Sequence, residues 1–454
     1  MNSDQLNPMV IKELRQGLKS KSFLVTFLGL QAAMVLSMFI YLSTASTKSG
    51  TGSMEFADGF FWFMLGLMLL VFMPLRAFGA LNEEIKGNTL EMLFLTRMNA
   101  WNISFGKWCA LVIQIFLLVS AVLPYLVLRY FLGSIDIAGN LEQLFYQLMA
   151  SMLFVSVGVG LSAWTSKIMR GLIIVGSLLS LYMVPFFLLS LSMGGGGRGG
   201  FSLFGWVEFL VGILMAGVLM MLFVEYGASQ IAPPAENHAI RKRGLALVLA
   251  LILSIYSAVY SHSGVGVFVC MLALIPIAID ALCEPLIGIK SVYVKLRKFR
   301  SARWLFYPGW VSGFLFISIL YWALMTLILV LEGDEDIILA GLVGYNTLIF
   351  PFVCIRLIPA LGRKALLTYF CVQALSFAFC LLMIFLEEIH FVSDFIVMGH
   401  LVPMLGFFVM AIEDISDLQL SFLLFPTAVM LTITFMKARK PVMQMQYLSK
   451  GAQG

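Results

Sequence analysis

The chain has 454 residues, of which 61% are apolar and 12% charged, and its net charge is +5. Soluble domains run near ~45–50% apolar and ~25% charged, whereas here the excess is gathered into runs of about 20 residues, enough to cross a ~30 Å hydrocarbon core as a helix. That excludes the soluble globular, disordered and fibrous classes, predicts an all-α polytopic helical membrane protein, and leaves no stretch for a folded extramembrane domain.

In chain order, the first 21 residues are polar and carry Lys12, Arg15, Lys19 and Lys21. Apolar runs follow at 23–42, 60–75, 108–128, 144–164, 171–191 and 204–223. No small-residue cleavage site follows the first run, so it is expected to stay as a span and not to act as a signal peptide. A polar break at 232–243 contains Pro233, Pro234 and the run Arg241, Lys242, Arg243. Further runs lie at 245–260, 265–282, 310–331, 337–357, 366–385 and 418–436; a thirteenth, 395–410, is interrupted by Gly399, His400, Pro403 and Gly406. The expectation is about twelve transmembrane helices in two six-helix halves, 1–243 and 244–454.

Cytoplasmic loops carry the excess of Lys and Arg. With the N-terminus inside and 395–410 not crossing, only Lys48, Arg129 and Arg198 of the 29 basic residues fall outside. Acids collect there instead: Glu332, Asp334, Glu335, Asp336, Glu387, Glu388, Asp394, Glu413, Asp414 and Asp417. Both termini are then cytoplasmic, in the cell (inner or plasma) membrane, and 395–410 is re-entrant or interfacial, since irregular backbone survives at depth only against protein or water. Each half has its longest inner loop after its second span, at 76–107 and 283–308. Ala80, Leu81, Glu83 and Gly87 recur at the same spacing as Ala281, Leu282, Glu284 and Gly288, a weak sign of a duplicated plan.

Two segments carry more information. In the first, Asn7 suits an N-cap and Pro8 the first helical turn. Val10, Ile11, Leu14 and Leu18 then share one face, with Lys12, Arg15 and Lys19 elsewhere. This predicts an amphipathic helix on the cytoplasmic surface, its cations near anionic headgroups; a generic basic flank of the first span fits the same residues. In the loop 76–107, Gly87 and Asn88 break the chain and Thr89 caps a short helix holding Glu91 in its first turn, with Leu90, Leu93 and Phe94 apolar. Such a helix needs something to dock on, either a partner or the lipid headgroups.

At these two segments the sequence resembles the type 2, exporter-type ABC transporter permeases. Many open with N-P-x-x-x-K/R-E-x-R, matched by Asn7, Pro8, Lys12, Glu13 and Arg15. After the second span they carry E-x-x-x-G-T-L-E-x-L-x-x-T, matched by Glu83, Gly87, Thr89, Leu90, Glu91, Leu93 and Thr96 with Asn88 inserted, and Gly106-Lys107 matches the lysine that opens the third span. The resemblance covers 1–243; the second half is legible only as a helical bundle. It implies a permease with a cytoplasmic coupling helix seated in a cleft of a separate ABC ATPase dimer, which binds ATP and Mg. This chain is expected to be no enzyme and to hold no cofactor. By position, Glu83, Glu84, Gly87, Thr89, Glu91, Leu93 and Arg97 are the expected coupling residues, and the N-terminal helix adds to the contact. A second permease chain completes the transporter unless this one supplies both halves.

No G-x-x-x-x-G-K-[ST] phosphate loop occurs, and glycine-rich 194–200 lacks the lysine. The four histidines are scattered and H-E-x-x-H is absent, so no metal centre is expected. The six cysteines lie mostly in apolar runs without C-x-x-C and read as small hydrophobes. Nothing points to nucleic acid; the partners are the bilayer and the ATPase. Glu387, Glu388 and His390 form the one local acid–base cluster and suit an acidic outer loop better than catalysis. Glu208 and Asp280 lie within the runs, near enough to an interface to stay wet. An ion- or proton-driven carrier is the alternative, though no row of buried acids marks a proton path. A non-transporting membrane anchor or assembly subunit is the other.

Overall fold

The computed structural model describes residues 8–46, 51–87, 95, 98–132, 137–162, 206–233, 236–261, 265–286, 303–332, 336–358, 365–388 and 417–450. All of its regular structure there is helical. Among the described residues nine helices are long and apolar enough to cross a membrane, each on one of the expected runs. Run 265–282 is helical with a shorter apolar stretch, Leu274–Cys283, and run 418–436 lies in a helix of mixed polarity. Runs 171–191 and 395–410 and the glycines at 194–200 lie outside the described residues. The chain divides into two compact units, Met1–Pro233 and Pro234–Gly454. The boundary falls between the two prolines, ten residues before the expected one, because Arg241, Lys242 and Arg243 are already inside the first helix of the second unit.

The first unit holds α1 (Pro8–Lys19), α2 (Lys21–Ser46), α3 (Thr51–Gly66), α4 (Met73–Ala77), α5 (Ala80–Lys86), α6 (Ala100–Leu132), α7 (Ile137–Leu161) and α8 (Trp206–Ile231). Ser20 separates α1 from α2 and caps the latter, its hydroxyl accepting from the Phe23 N–H at 3.2 Å. A π-helical stretch, Leu67–Phe72, joins α3 to α4. Pro74 has no N–H for the carbonyl four residues back, and the widened turn frees acceptors. Ser151 of α7 donates to one of them, Leu69 O, at 2.7 Å. Small residues let the helices close without a hydrophobic driving force. A Cβ on Gly160 would stand 2.6 Å from Phe223 O, and one on Gly227 only 3.1 Å from Gly160 Cα. The core runs through Leu30, Leu65, Leu69, Ile103, Ile115 and Val224.

The described residues of the expected loop 76–107 are largely helical. α4 and α5 carry the second span on to Lys86, and α6 begins at Ala100. At 33 residues, α6 is about 50 Å long against a ~30 Å hydrocarbon core, so its first turns stand clear of the apolar run that starts at 108.

The second unit holds α9 (Ala239–Tyr256), α10 (Val265–Cys283), α11 (Arg303–Phe306), α12 (Trp310–Glu332), α13 (Asp336–Leu357), α14 (Ala365–Glu388) and α15 (Asp417–Lys450). One end of its core is built from Leu282, Trp310, Val311, Ile349, Phe352 and Ile355. Gly313 rests directly on the Ala281 carbonyl, which no side chain would allow.

Candidate functional site

In the first unit α1 lies along α6. Met9 packs on Gly106, where a Cβ would stand 3.0 Å from the Met9 side chain, and Gly17 meets the Gln114 side chain two turns on, so the two helices run parallel. The face of α1 that docks is Met9, Val10 and Glu13, with Met9 and Val10 buried and Leu18 exposed. Of the expected apolar face, Val10 is buried against α6, Ile11 and Leu14 are half-buried and Leu18 is exposed. Lys12 and Arg15 are exposed on its outer side.

That docking brings three separated sequence segments to one point. The Lys107 ammonium, 4% exposed, donates to Glu13 Oε1 at 2.9 Å and to Glu84 Oε1 at 3.3 Å. Lys12 reaches the same Glu84 oxygen at 3.5 Å. Lys107 is the enclosed charge, and its two carboxylates supply the partners that burial of a charge requires, with the half-exposed Lys12 adding a second cation at the rim. Arg76 extends the joint by donating to Ser20 Oγ at 3.1 Å and lying over the Phe23 ring, so the end of α4 is tied to the α1–α2 junction.

Of the expected coupling residues, Glu84 is buried and its carboxylate pairs with Lys107 and Lys12. Glu83 lies on α5, and Gly87 is the exposed turn that ends it. Thr89, Glu91, Leu93 and Arg97 lie outside the described residues, as does Asn7; Pro8 opens α1. Lys107 is the central residue, and its sequence signal was the match of Gly106-Lys107 to the lysine that opens the third span.

A second charged cluster sits in the other unit, at the junction of α9, α10 and the turn entering α12. Lys242 holds Asp280 at 2.5 Å and stands 3.7 Å from Glu284. Arg243, 1% exposed, pairs with Glu284 at 2.9 Å and donates to Tyr307 O at 3.1 Å, to Ser312 Oγ at 3.1 Å and also to Leu305 O. Gly309, at φ +141°, lets this turn fold back over Leu286. Asp280 is therefore an enclosed ion-pair partner, a structural role, and not the wet side chain expected from its place near a span end. Arg129, expected in an outer loop, is also enclosed: it pairs with Asp58 and lies 4.3 Å from the Phe61 ring centre. Among the described residues no group of His, Cys, Asp and Glu is placed to hold a metal. The chain matches no protein-family model, no curated protein and no solved structure.

Proposed function

We propose that this chain is the membrane permease of an exporter-type ABC transporter, driven by ATP and Mg bound on a separate cytoplasmic ATPase dimer. One observation carries the reading: the segments that bear the resemblance, around Lys12–Glu13, Glu84 and Gly106-Lys107, meet in a single ion network centred on the buried Lys107. Glu84 on α5 precedes the connection 87–99 and Lys107 on α6 follows it. Both ends of that connection are thus clamped to each other and to α1. A displacement of the connection moves the second-span end, the third-span start and the N-terminal helix together. That is what a coupling element requires, since force from an ATPase must reach several helices at once.

In this reading Glu83, Gly87, Thr89, Glu91, Leu93 and Arg97 face the ATPase while Glu84, Glu13 and Lys107 transmit. Twelve spans in two six-helix halves, with both termini cytoplasmic in the inner or plasma membrane, complete the proposal. Affinity purification from native membranes should recover an ABC ATPase with the chain. Leu93→Asp should insert normally, since Leu93 lies outside every apolar run. A carboxylate desolvated without a partner at an interface costs about 2–5 kcal/mol, so co-purified ATPase and its stimulation should fall more than tenfold. Unchanged assembly and stimulation in inserted Leu93→Asp and Glu91→Arg would remove the connection from the interface.

A further inference from the structure

The second unit contains a groove of about 570 Å³ between α10, α12, α13 and α14. One full face of α12 lines it: Ile317, Leu320, Leu324, Ile328 and Glu332 recur at helical spacing. From Ile317 to Glu332 is about 22 Å at 1.5 Å per residue, so the groove is long and thin. Its breadth comes from small residues on α13, namely Ala340, Gly341 and Gly344, facing that stripe. Gly341 itself is met by the Met325 side chain.

Along its middle the groove is mainly apolar, with Gln373 as its one amide and its hydroxyls bonded to backbone. The Tyr321 hydroxyl donates to Gly341 O at 2.8 Å, the Tyr369 hydroxyl to Leu348 O at 2.6 Å and the Thr347 hydroxyl to Val343 O at 2.8 Å. At one end the character changes. Glu332 lines the mouth, on the end of α12 away from the Arg243 cluster, and Asp336 opens the next helix. Between Arg303 and Arg356 the sequence has four acids, Glu332, Asp334, Glu335 and Asp336, and no Lys, Arg or His. A thin, mainly apolar channel with the Glu332 carboxylate at one end is complementary to a single hydrocarbon chain carrying a cationic head, and electrostatic complementarity of this kind selects between ligands of equal apolar area.

We propose that this groove binds a long-chain amphiphile with an ammonium head, chain along α12 and head at Glu332. Naming that class as the exported cargo rests on the permease reading; the binding site does not. The test uses the full chain alone in phosphatidylcholine nanodiscs, without ATPase or nucleotide. Its probes are tritiated hexadecylamine, hexadecanol and palmitate. Wild type should hold hexadecylamine at least tenfold more tightly than palmitate. Gly344→Leu and Leu320→Trp, which fill the groove from opposite walls, should each lower amine binding more than tenfold. Glu332→Gln, at an exposed position, should bring the amine down to the level of hexadecanol while leaving hexadecanol binding in place. Equal retention of palmitate and amine by wild type would overturn the head-group assignment. Unchanged amine binding in either inserted groove-filling variant would overturn the site and leave only annular lipid association. Because no ATPase is present, failure here leaves the coupling reading standing, and failure of ATPase co-purification leaves the groove standing.

Discussion

Lys107 shows how one residue sets the register of three helices. Its ammonium is nearly enclosed between Glu13, 94 residues away in sequence, and Glu84, 23 residues away. Lys107→Met would take the enclosed ammonium away from two carboxylates, with the half-exposed Lys12 at the rim. Breaking a buried pair from one side costs about 3–5 kcal/mol, whereas removing all its charges together is often near neutral. Lys107→Met should therefore lower the melting temperature of the purified protein and uncouple any bound ATPase. Adding Glu13→Gln and Glu84→Gln to it should restore the melting temperature. A Lys107→Met variant that melts like wild type would mean that the network contributes no stability. The resemblance marks Lys107 as the lysine that opens the third span, but its pairing was not legible in the sequence: only the topology that returns α6 beside α5 and α1 supplies its carboxylates. Arg129 and Asp280 misled in the same way: a charge near the end of an apolar run looks solvated until a neighbouring helix brings the opposite charge.

At the scale of elements, the apolar runs were good guides to which segments are helical and poor guides to where the helices end. Run 60–75 lies inside a longer succession of helices from Thr51 to Lys86, with a π-helical widening ahead of Pro74 that hydropathy does not register. Run 108–128 lies inside α6, whose polar first turns remain helical because α1 and α8 bond to them, as when Ser104 donates to Val224 O at 2.9 Å. The docking of α1 depends on bare backbone at Gly106. Gly106→Leu would force the Met9 side chain outward and lift α1, opening Lys12, Arg15 and Lys19 to protease. Trypsin should then cut α1 at least tenfold faster than in wild type, with the same span count by labelling. Gly59→Leu, where nothing lies within 4 Å of an added Cβ, should leave the rate unchanged. Equal rates for Gly106→Leu and wild type would show that α1 is not held by this contact.

For the whole molecule the open number is the parity of crossings, and the second unit bears on it. Its Arg243 cluster marks one end, where α9 begins, α10 finishes and α12 begins. α13 finishes at that end too, since Arg356 donates to Leu282 O at 3.2 Å and lies over Trp310. α14 therefore starts there and runs away from it. α15 comes back. Its Thr427, ten residues from the start of α15, donates to Asn346, ten residues from the start of α13, at 2.9 Å. Its later residues Ala438 and Val442 pack on the core that holds Leu282, Trp310 and Ile355. α15 thus runs parallel to α13 and begins at the far end, where α14 finishes. A connection that leaves and returns at one end crosses the bilayer an even number of times, and 389–416 is too short for two spans of about 20 residues with their turns. Residues 395–410 are accordingly expected not to cross. On a cysteine-free background, Ser416→Cys should react with an impermeant maleimide added outside the cell, and Lys450→Cys only after the membrane is opened. The positive charge of Lys437, Arg439 and Lys440 along the last turns of α15 acts in the same direction, since cytoplasmic flanks carry the excess of cations. Labelling of Lys450→Cys from outside, with Ser416→Cys protected, would mean that 395–410 spans the membrane and that α15 is oriented against both its packing and its charge.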